Sequence, residues 1–135
     1  MNILKKIYEK LIKIAEEARL MAYVPYSKFK VGAALLTKDK KIYSGCNIEN
    51  ASFGLTICAE RVAIFKAISE GSNQFEAIAV VCDSKKPCFP CGACRQIISE
   101  FGKEIITINS NLRGKVEIKN INALLPDAFG KENLL

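Results

Sequence analysis

Two short motifs gather the residue types able to do chemistry. Cys58-Ala59-Glu60-Arg61 sets a thiol beside a carboxylate and a guanidinium. Pro90-Cys91-Gly92-Ala93-Cys94-Arg95-Gln96 sets two thiols about one helical turn apart, within reach of a single ion. Cys58 can supply a third ligand from a separate helix start. Helix N-termini carry partial positive charge, which lowers a thiol's pKa and favours the thiolate that binds metal. Three sulfur ligands leave the fourth tetrahedral position open, as in catalytic rather than structural zinc sites. Water at such a position ionises near neutral pH. Glu60, in the first turn of a helix, can face that water without ligating the metal and can carry its proton.

The chain contains no histidine. That excludes Ser-His-Asp and Cys-His catalysis, and any metal site built on imidazole. A carboxylate is then the natural proton carrier. There are six cysteines: Cys46, Cys58, Cys82, Cys88, Cys91 and Cys94. In a reducing cytosol such a set points to metal binding or catalysis before disulfides. Cys46 and Cys82 read as small buried hydrophobes. Cys88-x-x-Cys91-x-x-Cys94 also has the spacing of a ferredoxin-type run, and with Cys58 it would make a closed four-cysteine zinc or iron–sulfur site. Taken alone, Glu60 is a solvated carboxylate favoured by the helix dipole, and Arg61 a surface charge. Beside the thiols both acquire a role.

The elements that must position these groups follow from hydrophobic spacing. Residues 3–22 carry Ile3, Leu4, Ile7, Leu11, Ile14, Ala15, Ala18, Met21 and Ala22 at helical intervals, and Pro25 ends the pattern. Residues 29–36 and 42–43 read as a hairpin around Lys38-Asp39-Lys40-Lys41. Residues 45–56 form a polar loop of functional length. Residues 58–70 carry two apolar rows, so this helix is expected to be buried on several sides, with Gly71 as its stop. Residues 77–82 are a continuous apolar run, as in a strand covered on both faces. A loop at 85–90, a helix at 91–101 stopped by Gly102, strands at 104–109 and 116–118, and a short helix at 121–129 interrupted near Pro126 complete the chain. The order α-β-β-α-β-α-β-β-α predicts an α/β fold of three layers, α/β/α, with a mixed five-stranded sheet. A length of 135 residues fits one domain covering 1–135.

The two motifs together resemble those of the zinc-dependent cytidine deaminases, in their small, three-cysteine, homotetrameric form. The resemblance runs along nearly the whole chain. Met21-Ala22-Tyr23 and Pro25-Tyr26-Ser27-Lys28-Phe29 are similar to the family's N-terminal segment, and Phe29-Lys30-Val31-Gly32-Ala33-Ala34-Leu35 to its first strand. Gly45-Cys46-Asn47-Ile48-Glu49-Asn50-Ala51 resembles its nucleoside-binding loop, and Leu124-Leu125-Pro126-Asp127-Ala128-Phe129 its C-terminal element.

By that resemblance, Cys58, Cys91 and Cys94 hold one zinc ion per chain. Zinc-activated water adds at C4 of the pyrimidine, Glu60 moves the protons and contacts N3, and ammonia leaves. The Asn47-Ile48-Glu49 loop is similar to the one whose Asn and Glu grip the ribose hydroxyls. Phe29 resembles the aromatic that packs near the base, and the backbone at Ala59 would read the base edge. Phe129 resembles an aromatic that reaches a neighbouring subunit's site, which implies a homotetramer with shared active sites. The family has no ligand at the Cys88 position. The implied reaction converts cytidine and 2′-deoxycytidine to uridine and 2′-deoxyuridine in pyrimidine salvage. A deaminase of a cytosine-nucleoside antibiotic such as blasticidin S shares the zinc motifs, but the Asn47-Ile48-Glu49 loop argues for a ribose. A non-catalytic module stapled by metal is the alternative of a different class.

Charge arithmetic gives Arg61 a task. Three thiolates on Zn²⁺ sum to −1, which raises the pKa of bound water and weakens the Lewis acid. A cation hydrogen-bonded to the sulfurs offsets this, and Arg61 matches the family's arginine in that position. The remaining charges, 20 basic against 14 acidic for a net +6, are scattered. With no aromatic-basic stretch, no nucleic-acid partner is expected. No apolar run is long enough to span a bilayer and no secretory segment is evident, so the expected setting is the cytoplasm, without a membrane partner.

Overall fold

The computed structural model describes residues 3–135. Its first helix, α1 (Ile3–Arg19), buries Leu11 and Ala15 completely and exposes Lys6, Lys10, Lys13 and Glu17, as the apolar spacing predicts. There follow β1 (Val31–Thr37), β2 (Ile42–Cys46), α2 (Ala59–Ser69), β3 (Phe75–Cys82), α3 (Gly92–Glu100), β4 (Ile106–Asn111), β5 (Val116–Asn120) and α4 (Ile121–Leu124). The element order is the expected one.

The strands form one mixed sheet in the order β2-β1-β3-β4-β5. All neighbours are antiparallel except β3 and β4, which run parallel from Ala77 opposite Ile106 to Cys82 opposite Asn111. A parallel pair needs a crossover, and α3 lies within it. The central strands β1 and β3 are apolar on both faces because helices cover both. On one side α1 packs Leu11 and Ala15 against Ala34, Leu36, Ala79 and Val81. On the other, Ala63, Ile64 and Ala67 of α2 and Ile98 of α3 meet Ala33, Leu35 and Ile78. Fully burying one such Leu or Ile stabilises the fold by roughly 1.5–3 kcal/mol. The three-layer α/β/α architecture with a mixed five-stranded sheet is thus the one the sequence implies.

Four local expectations are corrected. α1 stops at Arg19, three residues before the periodicity does, because Tyr23 leaves the helix to bridge Ile48: its N–H donates to the Asn47 carbonyl at 3.0 Å. α2 is not covered on several sides within this chain; Phe65 is 43% exposed and Val62 and Ile68 only half-buried, since the sheet covers a single face. Residues 121–129 are helical only to Leu124, and Asp127 beyond Pro126 takes a left-handed φ of 54°. Cys82 is buried as expected, but Cys46, at the end of edge strand β2, is half-buried.

Two glycines set the distance between layers. A Cβ on Gly32 would stand 1.9 Å from the Ala15 carbonyl oxygen of α1, and one on Gly45 would stand 2.5 Å from the Ala59 oxygen at the start of α2. Both obstacles are backbone and cannot rotate away. Gly45→Ala is therefore expected to destabilise the chain by about 1–3 kcal/mol in urea or thermal unfolding. Gly54→Ala, where a Cβ meets nothing within 4 Å, should stay within about 0.5 kcal/mol of the parent.

Candidate active site

Two helix starts carry the reactive groups. Cys58 is the N-cap of α2 and Cys91 the N-cap of α3, and neither thiol is spent on a capping hydrogen bond. Cys94 sits one turn into α3 and is buried. The loop before Cys58 is held by a two-way bridge, Ile48 N–H to the Ile57 carbonyl and Ile57 N–H to the Ile48 carbonyl, each 3.0 Å. The loop before Cys91 follows the C-terminal end of β3. The sulfurs of Cys58, Cys91 and Cys94 converge to within 4.8 Å of one another, and those of Cys58 and Cys91 are 3.8 Å apart.

This donor set fits zinc. A tetrahedral ion with Zn–S bonds of about 2.3 Å separates its sulfurs by about 3.8 Å. The protein also prepares the charge. The Cys58 thiol is lowered to about 5, first by a hydrogen bond from Cys94, with Arg61 and Cys91 adding to it, while burial opposes. Cys94 donates that bond, and its own thiol is pushed up by it and by burial. Metal binding displaces such protons. Arg61 Nη2 donates to Cys58 Sγ at 3.3 Å, and this bond raises the guanidinium's own pKa. Arg61 Nε is buried without a partner among the described residues.

Glu60, in the first turn of α2, is only 4% exposed. Its carboxyl is pushed up to about 7, first by burial and with help from the neighbouring Cys58 charge, against the pull of a backbone N–H, Cys94 and Arg61. The reading of Glu60 as a solvated surface carboxylate does not hold. Ala59, between ligand and acid, is fully buried. Cys88 does not join the cluster. Its thiol bonds to Cys82 and is pushed up by that bond, while Cys82 is lowered to about 7. Its N–H donates to the Ser110 carbonyl at 3.0 Å. The closed four-cysteine arrangement is therefore not the one assembled.

The loop after β2 ties itself to the segment before β1. Asn47 Nδ2 donates to the Phe29 carbonyl at 2.8 Å and its Oδ1 accepts from Val31 N–H at 2.9 Å. Glu49 accepts from the N–H groups of Tyr26 and Ser27 at 3.0 and 3.1 Å, and from the Ser27 hydroxyl. These bonds, the hydroxyl's first, hold its carboxyl below the usual range. Tyr26, Ser27, Glu49, Phe53 and Thr56 line a cavity of about 430 Å³. Phe29 and Ile48 are part-exposed beside this loop, and Phe129 is 59% exposed with its carbonyl accepting from Gln96 Nε2 at 2.8 Å. Sequence reasoning had no role for Ser27, Arg95 or Gln96 as anchors; their adjacency to Phe29 and Cys94 was the available signal.

A helix-covered mixed sheet with three convergent thiols and a buried carboxyl at two helix starts defines a zinc-binding deaminase centre. The chain belongs to the cytidine and deoxycytidylate deaminase family, whose zinc-binding region matches residues 5–109, and it is a zinc-dependent deaminase. A cytidine deaminase of Sporosarcina psychrophila is 54% identical over 127 residues, 93% of each chain. The crystal structure of cytidine deaminase from Burkholderia pseudomallei superposes with a TM-score of 0.87 at 51% identity, covering 90% of this chain and 98% of that one. A blasticidin-S deaminase of Bacillus cereus stands further off, 33% identical over 124 residues, 86% of this chain and 87% of its own.

Two outcomes are expected of variants here. Arg61→Ala should keep the fold but lower zinc affinity or turnover by about 10–100-fold, measured by chelator competition and steady-state rates. Cys88→Ser should load the same one zinc per chain as the parent in metal analysis, whereas Cys58→Ser should not.

Proposed function

We propose that the 135 residues form one catalytic domain that deaminates cytidine and 2′-deoxycytidine hydrolytically, giving uridine and 2′-deoxyuridine with release of ammonia. The observation that carries this reading is the buried Glu60 carboxyl, with a pKa near neutrality, at a cluster of three thiols. Its close relatives by sequence bear the cytidine deaminase name, and the antibiotic deaminase is the more distant one.

In this reading Cys58, Cys91 and Cys94 hold the zinc, and Arg61 offsets the negative charge of the three thiolates. The zinc supplies a Lewis acid that brings water's ionisation toward neutral pH. Glu60 does the rest of the proton work. Burial raises this carboxyl above the usual carboxylate range, which makes it a better acceptor for a proton of water that it can then give back. It passes the proton taken from water to ring N3, then takes the proton of the hydroxyl formed at C4 and delivers it to the amino nitrogen, so that ammonia departs and C4 becomes a carbonyl. The Ala59 backbone meets the base edge and Phe29 packs beside the base. Asn47 and Glu49, on either side of Ile48, face the ribose hydroxyls. Their anchoring to Phe29, Val31, Tyr26 and Ser27 supports a preset sugar site.

Exposed Phe29, Phe53, Leu55, Phe65 and Phe129 support a homotetramer in which Phe129 completes a neighbour's site. No helix among the described residues is long and apolar enough to cross a membrane. The reading places the enzyme in the cytoplasm, in pyrimidine salvage, with nucleoside rather than nucleic acid as its partner.

The test is the ultraviolet absorbance of cytidine with metal-analysed protein. Conversion to uridine with one zinc per chain is expected. In Glu60→Gln the rate should fall by about 10²–10⁴-fold or more while zinc content and fold persist. A zinc-loaded parent without activity on either nucleoside would overturn the substrate assignment.

A further inference from the structure

Arg95 has no part in the roles above, yet its side chain fastens the peptide that leads into a ligand. Its Nε donates to the Pro90 carbonyl at 2.7 Å, and its backbone N–H donates to the Cys91 carbonyl at 2.9 Å. The first bond fastens the peptide that precedes Cys91; the second is the ordinary helical bond to the N-cap carbonyl, which any residue but proline would make there. Its Nη1 donates to the Leu124 carbonyl, the last residue of α4, at 2.9 Å. The next residue, Gln96, holds the Phe129 carbonyl. Cys91 needs outside support. It is exposed, its thiol makes no capping hydrogen bond to the helix it begins, and it ends a loop of irregular backbone. Pro90, by contrast, is buried, so the Arg95–Pro90 bond is shielded from water.

We propose that Arg95 is a positioning residue that sets the Cys91 ligand through the peptide that precedes it and ties it to the C-terminal segment 124–129. The proposal rests on the reading that Cys58, Cys91 and Cys94 hold zinc. Arginine suits the task because its rigid fork reaches two carbonyls at once, whereas a lysine ammonium is a single flexible point. Groups that orient ligands rather than bind metal typically change metal affinity by 10–100-fold when removed. The same guanidinium makes the metal loop and the segment carrying Phe129 one mechanical unit.

The experiment follows zinc release from the holoenzyme to a chromogenic chelator, and amide hydrogen exchange across 121–129. Arg95→Ala should release zinc roughly tenfold faster than the parent, with Arg95→Lys between the two. The Leu125 amide, bonded to the Ile121 carbonyl at 2.9 Å, should exchange faster in Arg95→Ala. Ile98→Val, a core change elsewhere on α3, serves as the control for general destabilisation and should release zinc at the parent's rate. If Arg95→Ala does not fold, Arg95→Lys carries the comparison. Release from the Arg95 variants at the parent's rate overturns the proposal, as does equal acceleration in Ile98→Val. A parent chain that binds no zinc overturns this proposal and the ligand assignment together. A zinc-loaded parent with unaffected Arg95 variants overturns this proposal alone.

Discussion

Three sulfurs must meet at one point although 33 residues separate Cys58 from Cys91, and three anions at that spacing repel one another strongly. Several groups near the site ease that repulsion. Each N-cap thiol stands at the positive end of a helix dipole. Arg61 donates to the first sulfur, and the Cys94 thiol, its pKa raised, hydrogen-bonds the same sulfur. The sheet supplies the geometry. β3 and β4 run parallel, so the chain must cross over between them, and the start of α3 lies at the C-terminal end of β3. Gly45 lets the first turn of α2 descend onto β2 until backbones nearly touch. The two helix starts meet because both the crossover and that close approach are built into the sheet.

The missing histidine shapes the remaining chemistry. Without imidazole, neither the metal nor the proton transfers can use a group that titrates near neutrality by nature. The fold makes one from a glutamate instead, by taking its carboxyl out of water and setting it near the Cys58 charge. The same burial would be costly for a free carboxylate. Here the raised pKa brings the neutral form within reach, which lessens that cost.

Much of this was legible in the residues. The CAER and PCGACRQ motifs named the thiols and the acid, and hydrophobic periods gave the element order and the layered sheet. What was not legible depends on contacts far apart in sequence. The end of α1 is decided by a hydrogen bond from Tyr23 to Asn47, 24 residues on, which no local period encodes. The apolar outer side of α2 announced burial, but residue types alone do not say what covers Phe65. Glu49 looked like a loop carboxylate with a ligand to reach, and its ties to Tyr26 and Ser27 appear only when the two loops are placed together. Arg95 drew no role from the sequence, because the Pro90 and Leu124 carbonyls it binds are brought together only by the fold.

The Asn47 amide is held at both ends, its oxygen by Val31 N–H and its nitrogen by the Phe29 carbonyl. Its polarity is therefore assigned by the backbone, with no freedom to flip. Glu49 is likewise fastened by three donors. Ordering a long polar side chain upon binding ordinarily removes rotamer entropy worth about 0.5–1.5 kcal/mol. In this loop that entropy is already lost during folding, so a ligand meeting these two residues encounters directions rather than an ensemble.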